Sequence, residues 1–260
     1  MMGIEDYPIF INQQSSDIKN DLKSLLAFLD SKYVLFLTDD SLVYRPVEFT
    51  EEDVDEIYTD EVLNLSLRLG LNTIHVDYND KSKIEYPENY YKDDQFIKWD
   101  WTKQKGGHLS HPFNPDGTIF RRDLILDIVN TVGFNTVRAF ESNIGDFIRR
   151  DVKRPYLAAP IRSNVVCIPV NMTNDAGHYL PNGTQYPHSL KELNDQYLIG
   201  KYIDVERMNF KVTSVLQEIE YEFTNSEEES IHNSSPSRFL SFLQLSKRAF
   251  YRCVGIKQSS

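Results

Sequence analysis

Residues Tyr33-Val34-Leu35-Phe36-Leu37 form an unbroken apolar run of strand length that stops abruptly at Thr38-Asp39-Asp40. A run that is apolar at every position, not at alternate ones, suits a strand covered on both faces, as in the sheets of α/β proteins. In open sheets of that kind, ligands gather in the crevice outside the carboxyl ends of the strands. Two aspartates delivered there present paired hard oxygen donors, which suit Mg²⁺ or Mn²⁺. A cation so held can bridge a diphosphate and stabilise its charge as it departs. The same dipeptide also begins turns and caps helices, so the residues by themselves leave a metal site and a plain turn both open.

The rest of the chain supplies helices and strands in alternation. Ile18, Leu22, Leu25, Leu26 and Leu29 recur at helical spacing behind a cap at Ser16 or Asp17, predicting a helix over 17–30. Residues 50–69 read as helical, with acids in the first turn, Val62, Leu63, Leu65, Leu67 and Leu69 further on, and Gly70 as the stop. Phe96 to Trp101 alternates like a strand, and 102–117 is a loop crowded with glycine, proline, His108 and His111. Helical patterns return over 120–132 and 136–150; Asn164 to Val170 reads as a buried strand and 189–199 as a helix. The expected organisation is one domain over 1–223, a polar linker over 224–237, and a basic, aromatic amphipathic helix over 238–260. Helices alternating with buried strands predict an α/β fold.

Composition narrows the class of function. With 40% hydrophobic and 12% aromatic residues, 260 residues can bury a sizeable core. A net charge of −11 argues against nucleic acid as a partner, because phosphate neutralisation over a broad surface needs the opposite sign. Cys167 and Cys253, far apart in unrelated contexts, offer neither a disulfide framework nor a zinc spacing, so a reducing cytoplasmic setting is expected. No window reads as a membrane span.

A second constellation follows the first. Asp116-Gly117-Thr118-Ile119-Phe120-Arg121-Arg122-Asp123 leads toward a helix, and Glu141 lies inside the next one. Gly117 permits close backbone approach, Arg121 and Arg122 can face phosphates, and Glu141 can take a proton from an attacking hydroxyl. Each also has a plain structural reading: a common Asp-Gly turn, a solvated arginine pair, a surface glutamate.

The order of these parts resembles the GT-A type nucleotide-sugar glycosyltransferases of the inverting kind: an apolar strand ending in acids, a Gly-x-x-Phe-Arg-Arg stretch, then an acid on a helix. More narrowly, 66–73 (Ser-Leu-Arg-Leu-Gly-Leu-Asn-Thr), Trp99-Asp100-Trp101, His111-Pro112 through Arg121, Ile168-Pro169-Val170-Asn171, and Glu192-Leu193-Asn194 with Gly200 resemble a bacterial glycosyltransferase-like subgroup of unassigned substrate. The resemblance covers about residues 18–205 and implies a GT-A-like mixed sheet flanked by helices. It implies Mn²⁺ or Mg²⁺ held by Asp40 with Asp39, and Asp39 against the nucleotide ribose or the sugar. It further implies a nucleotide-sugar site that includes Asp116, Gly117, Arg121 and Arg122, and Glu141 as the catalytic base. Ser41 stands where a full Asp-x-Asp motif has its last acid, and Ser142 follows Glu141 where the family commonly has Asp.

Members of that family begin with a strand, helix and strand that hold the nucleobase, a unit of roughly 30 residues or more. Only 32 residues precede Tyr33, so this first βαβ portion is expected to be reduced or missing, with Tyr7 to Ile11 as one short strand at most. A degenerate binding protein, a half that needs a partner chain, and a start downstream of the natural one are all compatible with that.

Trp99 and Trp101 share a strand face and suit either a sugar-stacking platform or a core; with His111 they are the candidate acceptor-binding residues. His108 and His111, three apart, lack the further ligands a zinc site needs. In 238–260, Arg238, Lys247, Arg248 and Arg252 mix with Phe239, Phe242, Phe250 and Tyr251, a pattern that suits docking on the main domain, on a partner protein, or peripherally on the inner membrane surface. The expected activity is metal-dependent transfer of a sugar from a nucleotide-sugar donor to a hydroxyl on a glycan or other acceptor, in surface polysaccharide synthesis. The alternative is a non-catalytic GT-A-like protein that binds a glycan or a partner glycosyltransferase. An aspartate-dependent phosphohydrolase has less support, since no nucleophile motif accompanies the acids.

Overall fold

The computed structural model describes residues 17–38, 41–74, 86–167, 190–202, 204, 213–214 and 223. Helix α1 (Ile18–Phe28) starts at Asp17, whose side chain accepts the Asn20 amide, and buries Ile18, Leu22 and Leu26 along one stripe. Strand β1 (Tyr33–Phe36) and the short β2 (Ser41–Val43) follow. Helix α2 (Glu51–Ile57) opens on a reciprocal capping box between Thr50 and Asp53. It ends at Ile57, and the residues beyond it are β3 (Val62–Ser66), buried at all five positions. The leucine-rich half of the helix expected over 50–69 is therefore a central strand. Its apolar residues at 62, 63 and 65 satisfy a helical stripe and a two-sided strand equally well.

Next come β4 (Thr73–Ile74), β5 (Tyr91–Lys92) and β6 (Phe96–Asp100), then two 3₁₀ turns at Trp101–Lys103 and His108–Ser110. Strand β7 (Thr118–Arg121) runs straight into α3 (Arg122–Thr131), and α4 (Val137–Arg150) is capped by Thr136, which accepts the Ala139 amide. Strands β8 (Tyr156–Pro160) and β9 (Val165–Cys167), helix α5 (Leu190–Leu198) and β10 (Thr213–Ser214) complete the described elements. Expected features at 1–16, 168–170 and 224–260, including the linker and the basic terminal segment, lie outside the described residues.

Six strands form one mixed sheet in the order β1-β7-β3-β8-β6-β5. Strand β7 is antiparallel to both its neighbours, β1 and β3, while β3 and β8 are parallel and β6 is antiparallel to β8. The fold is thus α/β with a mixed sheet flanked by helices, as the alternation of patterns predicts. A bulge between Val62 and Asn64 lets Val62 and Leu65 pack on the same side.

Each face of the sheet carries its own core. On one side Val34, Phe120, Ile97, Trp99 and Leu157 pack with α1, α3 and α4; on the other Tyr33, Leu35, Ile119, Phe96 and Ala158 pack with α2. Alternate residues of one strand divide between the two cores, as the period of a β-strand requires. Among the described residues no helix is long and apolar enough to cross a membrane.

Candidate functional site

The pairing register decides which ends of the strands meet. Phe36 at the end of β1 and Ser66 at the end of β3 both lie across from Thr118, the first residue of β7. Because β7 runs opposite to its neighbours, its entrance shares a rim with their exits. The β2–β9 ladder, with Ser41 opposite Cys167, is joined to the same rim: Leu67 donates to the Gly117 carbonyl (2.8 Å), and Asn164 donates to that of Leu67 (2.7 Å).

A buried ion pair sits at this rim. Arg68, two residues past β3, is only 3% exposed and places Nη1 3.1 Å from Asp116 Oδ2. Thr38, two residues past β1, donates its hydroxyl to Asp116 Oδ1 at 2.8 Å and also meets the Ser41 hydroxyl at 2.9 Å. Arg68 Nη2 lies 3.4 Å from His108 Nδ1. A guanidinium this deep needs a paired carboxylate, since an isolated buried charge is too costly to keep.

The entrance to β7 is a rigid piece of chain. Asn114 Oδ1 accepts the Asp116 amide at 2.7 Å, an Asx turn. Gly117 takes φ of 62°, and a Cβ there would lie 2.9 Å from Val165 Cγ1, so both conformation and space require glycine.

Glu141 faces this rim from α4, where it is partly buried. Asn114 Nδ2 donates to Glu141 Oε1 at 3.4 Å. Burial pushes the Glu141 carboxyl up to about 7, and the nearby Asp116 carboxylate adds to the rise while Arg68 opposes it.

His111 lies on the same side. Burial holds its imidazole below the usual histidine range, and Arg149 and Arg68 push the same way. Glu141, Gly145 and Arg149 recur every four residues along one face of α4, and a Cβ on Gly145 would come within 3.9 Å of His111 Cε1. Asn64, Ser66, Arg68, His108, His111, Asn114 and Thr118 line a cavity of about 10 Å³, close to the space of a single water. Two buried atoms in that lining, Arg68 Nε and His111 Nδ1, have no hydrogen-bond partner among the described residues.

The structure therefore gathers Asp116, Gly117, Glu141 and His111 at one rim and sends other candidates elsewhere. Arg121 and Arg122 stand at the far end of β7. Arg121 pairs with Asp123 (2.7 Å) and Asp60 (3.7 Å); Arg122 donates to the Ser31 and Leu26 carbonyls. The physical reason is that residues 118–121 are a strand, not a loop, and carry the chain to the opposite rim. Trp99 and Trp101 are 0% and 5% exposed, with their indole N–H groups bonded to the Leu109 and Arg154 carbonyls at 2.9 Å each. They present no ring face for a sugar, so their place is the core.

Asp39 and Asp40 lie outside the described residues, between Thr38 and Ser41. Among the described residues no group of three or more His, Cys, Asp or Glu side chains is arranged to hold a metal. Asp116 is already engaged by Arg68 and Thr38. Arg68, Thr38 and Asn114 are the site residues that sequence reasoning missed. The one available signal was an arginine directly following a buried-type leucine run, at the place where a strand exits.

Comparison of the chain with protein-family models, with curated proteins and with solved structures finds no match.

Proposed function

We propose that this chain is a metal-dependent glycosyltransferase of GT-A type, moving a sugar from a nucleotide-sugar donor to a hydroxyl acceptor with inversion. The observation that carries this reading is Glu141: a partly buried carboxyl pushed up to about 7, on the rim that Thr38 also reaches through Asp116. A base works best when its midpoint lies close to the working pH, because enough of it is ionised and it still binds a proton firmly. Glu141 takes the proton of the acceptor hydroxyl as that oxygen attacks the sugar. Arg68 pairs with Asp116 at 3.1 Å, and together with Asn114 they form the wall against which Glu141 works. Asp40 and Asp39 would hold Mn²⁺ or Mg²⁺, which when bound supplies positive charge to the departing diphosphate. The mixed α/β sheet is compatible with this class of fold.

The test is release of nucleoside diphosphate from a panel of UDP- and GDP-sugars, with and without Mn²⁺. Release that needs the cation and is lost in both Asp40→Ala and Glu141→Gln is expected. Cation-independent release, or full activity in Asp40→Ala, refutes the assignment.

One observation favours the second reading, a GT-A-like protein that binds a glycan or a partner transferase without turnover. The described rim is tightly closed, with a cavity of about 10 Å³ and Asp116 already paired. Glycan binding without release of diphosphate from any donor would select it.

A further inference from the structure

The loop that enters β7 is fastened to α4 at two successive pairs of residues. Phe113, fully buried, packs edge-on to Phe140 with ring centroids 5.1 Å apart and planes at 90°. The next residue on each side makes the polar contact, Asn114 Nδ2 donating to Glu141 Oε1. The orientation of the Asn114 amide is set from behind, since the Asp116 N–H at 2.7 Å can be met only by the amide oxygen. That leaves the NH₂ group turned to Glu141. The loop has little freedom to move away: Asn64 holds the Pro112 carbonyl at 2.9 Å, and Gly117 is wedged against Val165.

We propose that Asn114 is the positioning residue of this site, holding Glu141 by Oε1 and leaving Oε2 as the oxygen that exchanges the proton. The geometry stands on its own, and its consequence for turnover rests on the glycosyltransferase reading. The charged and titratable groups around Glu141 are Asp116 and Arg68 across the rim, His108 beyond Arg68, and His111 with Arg149 along the same face of α4. Asn114 is the neutral donor among them, and a donor to the ionised form favours ionisation.

The experiment is a titration of Glu141 by its side-chain carboxyl ¹³C shift in the full, ligand-free protein. It compares the natural protein with Asn114→Ser and Asn114→Ala, both neutral. Serine still offers an oxygen to the Asp116 amide but cannot reach Glu141; alanine offers nothing. Both variants are expected to raise the Glu141 midpoint by about half a pH unit, leaving about threefold fewer ionised molecules at a fixed pH below it. The near-UV circular dichroism stays unchanged. A midpoint that stays put or falls in either folded variant overturns the proposal, because a merely structural Asn114 would leave it so. Where turnover is measurable, the acid limb of kcat/KM shifts with the midpoint. Absence of turnover under every condition tells against the transferase reading and leaves the titration result as it is.

Discussion

Glu141→Gln isolates the energetic consequence of holding a partly buried carboxyl at this rim. The substitution keeps the side chain's shape, and its amide oxygen can still accept from Asn114, but it cannot ionise. In the folded protein the Glu141 midpoint is raised from the ordinary 4.5 to about 7. Between those two values the native state keeps a proton that the unfolded chain has already released, so stability falls as pH rises through that window. The penalty is absent below about 4.5 and complete above about 7. At about 1.4 kcal/mol per pH unit it amounts to roughly 3 kcal/mol. Urea unfolding at a series of pH values, with the natural protein and the variant side by side, removes the other titrating groups by difference. The stability gap in favour of Glu141→Gln is expected to open between pH 4.5 and 7, reach about 3 kcal/mol, and then stay level. A gap that does not vary with pH refutes the reasoning. Under the transferase reading the same variant is more stable at pH 8 and inactive, the trade expected of a group kept for its chemistry.

Three further outcomes follow from contacts described above. Arg68→Met strips the partly buried Asp116 of its cation and is expected to cost about 3 kcal/mol, near the low end for breaking such a pair because Asp116 is part-exposed and Thr38 still bonds it; it also raises the Glu141 midpoint, read by the same carboxyl titration. Gly117→Ala combines a left-handed backbone with a Cβ 2.9 Å from Val165 Cγ1, and denaturant unfolding is expected to show a loss of about 2–4 kcal/mol. Trp99→Phe deletes the indole bond to the Leu109 carbonyl and leaves a void, so stability falls by about 2–3 kcal/mol. A carbohydrate-binding assay that moved while stability did not would return Trp99 to the acceptor site.

How much of this was legible from residues alone depended on whether a pattern was local. Helix α1, strand β1 and helix α4 carry their own periodicity and caps, and each appears within a few residues of where the sequence places it. Strand β3 was hidden inside an apparent helix, because acids that nucleate α2 stand directly before a leucine-rich run whose spacing fits both periods. The site was half visible. Asp116, Gly117 and Glu141 stood out by type, whereas the pairing of Arg68 with Asp116 spans 48 positions and exists only through the register of β3 on β7. Arg121 and Arg122 were misplaced for a related reason: no local signal distinguishes a loop entering a helix from a four-residue strand that crosses the whole sheet first.

Strand β7 also behaves as a spacer of fixed length. Its four residues separate the Asp116 end from the Arg121 end, while Ile119 and Phe120 feed opposite cores. Adding or removing one residue there would swap both hydrophobic side chains between the two layers and shift the acid at the entrance by about 3 Å against a helix that stays where it is. Evolution can therefore vary what the rim carries, residue by residue, far more easily than it can vary the number of residues that lead away from it.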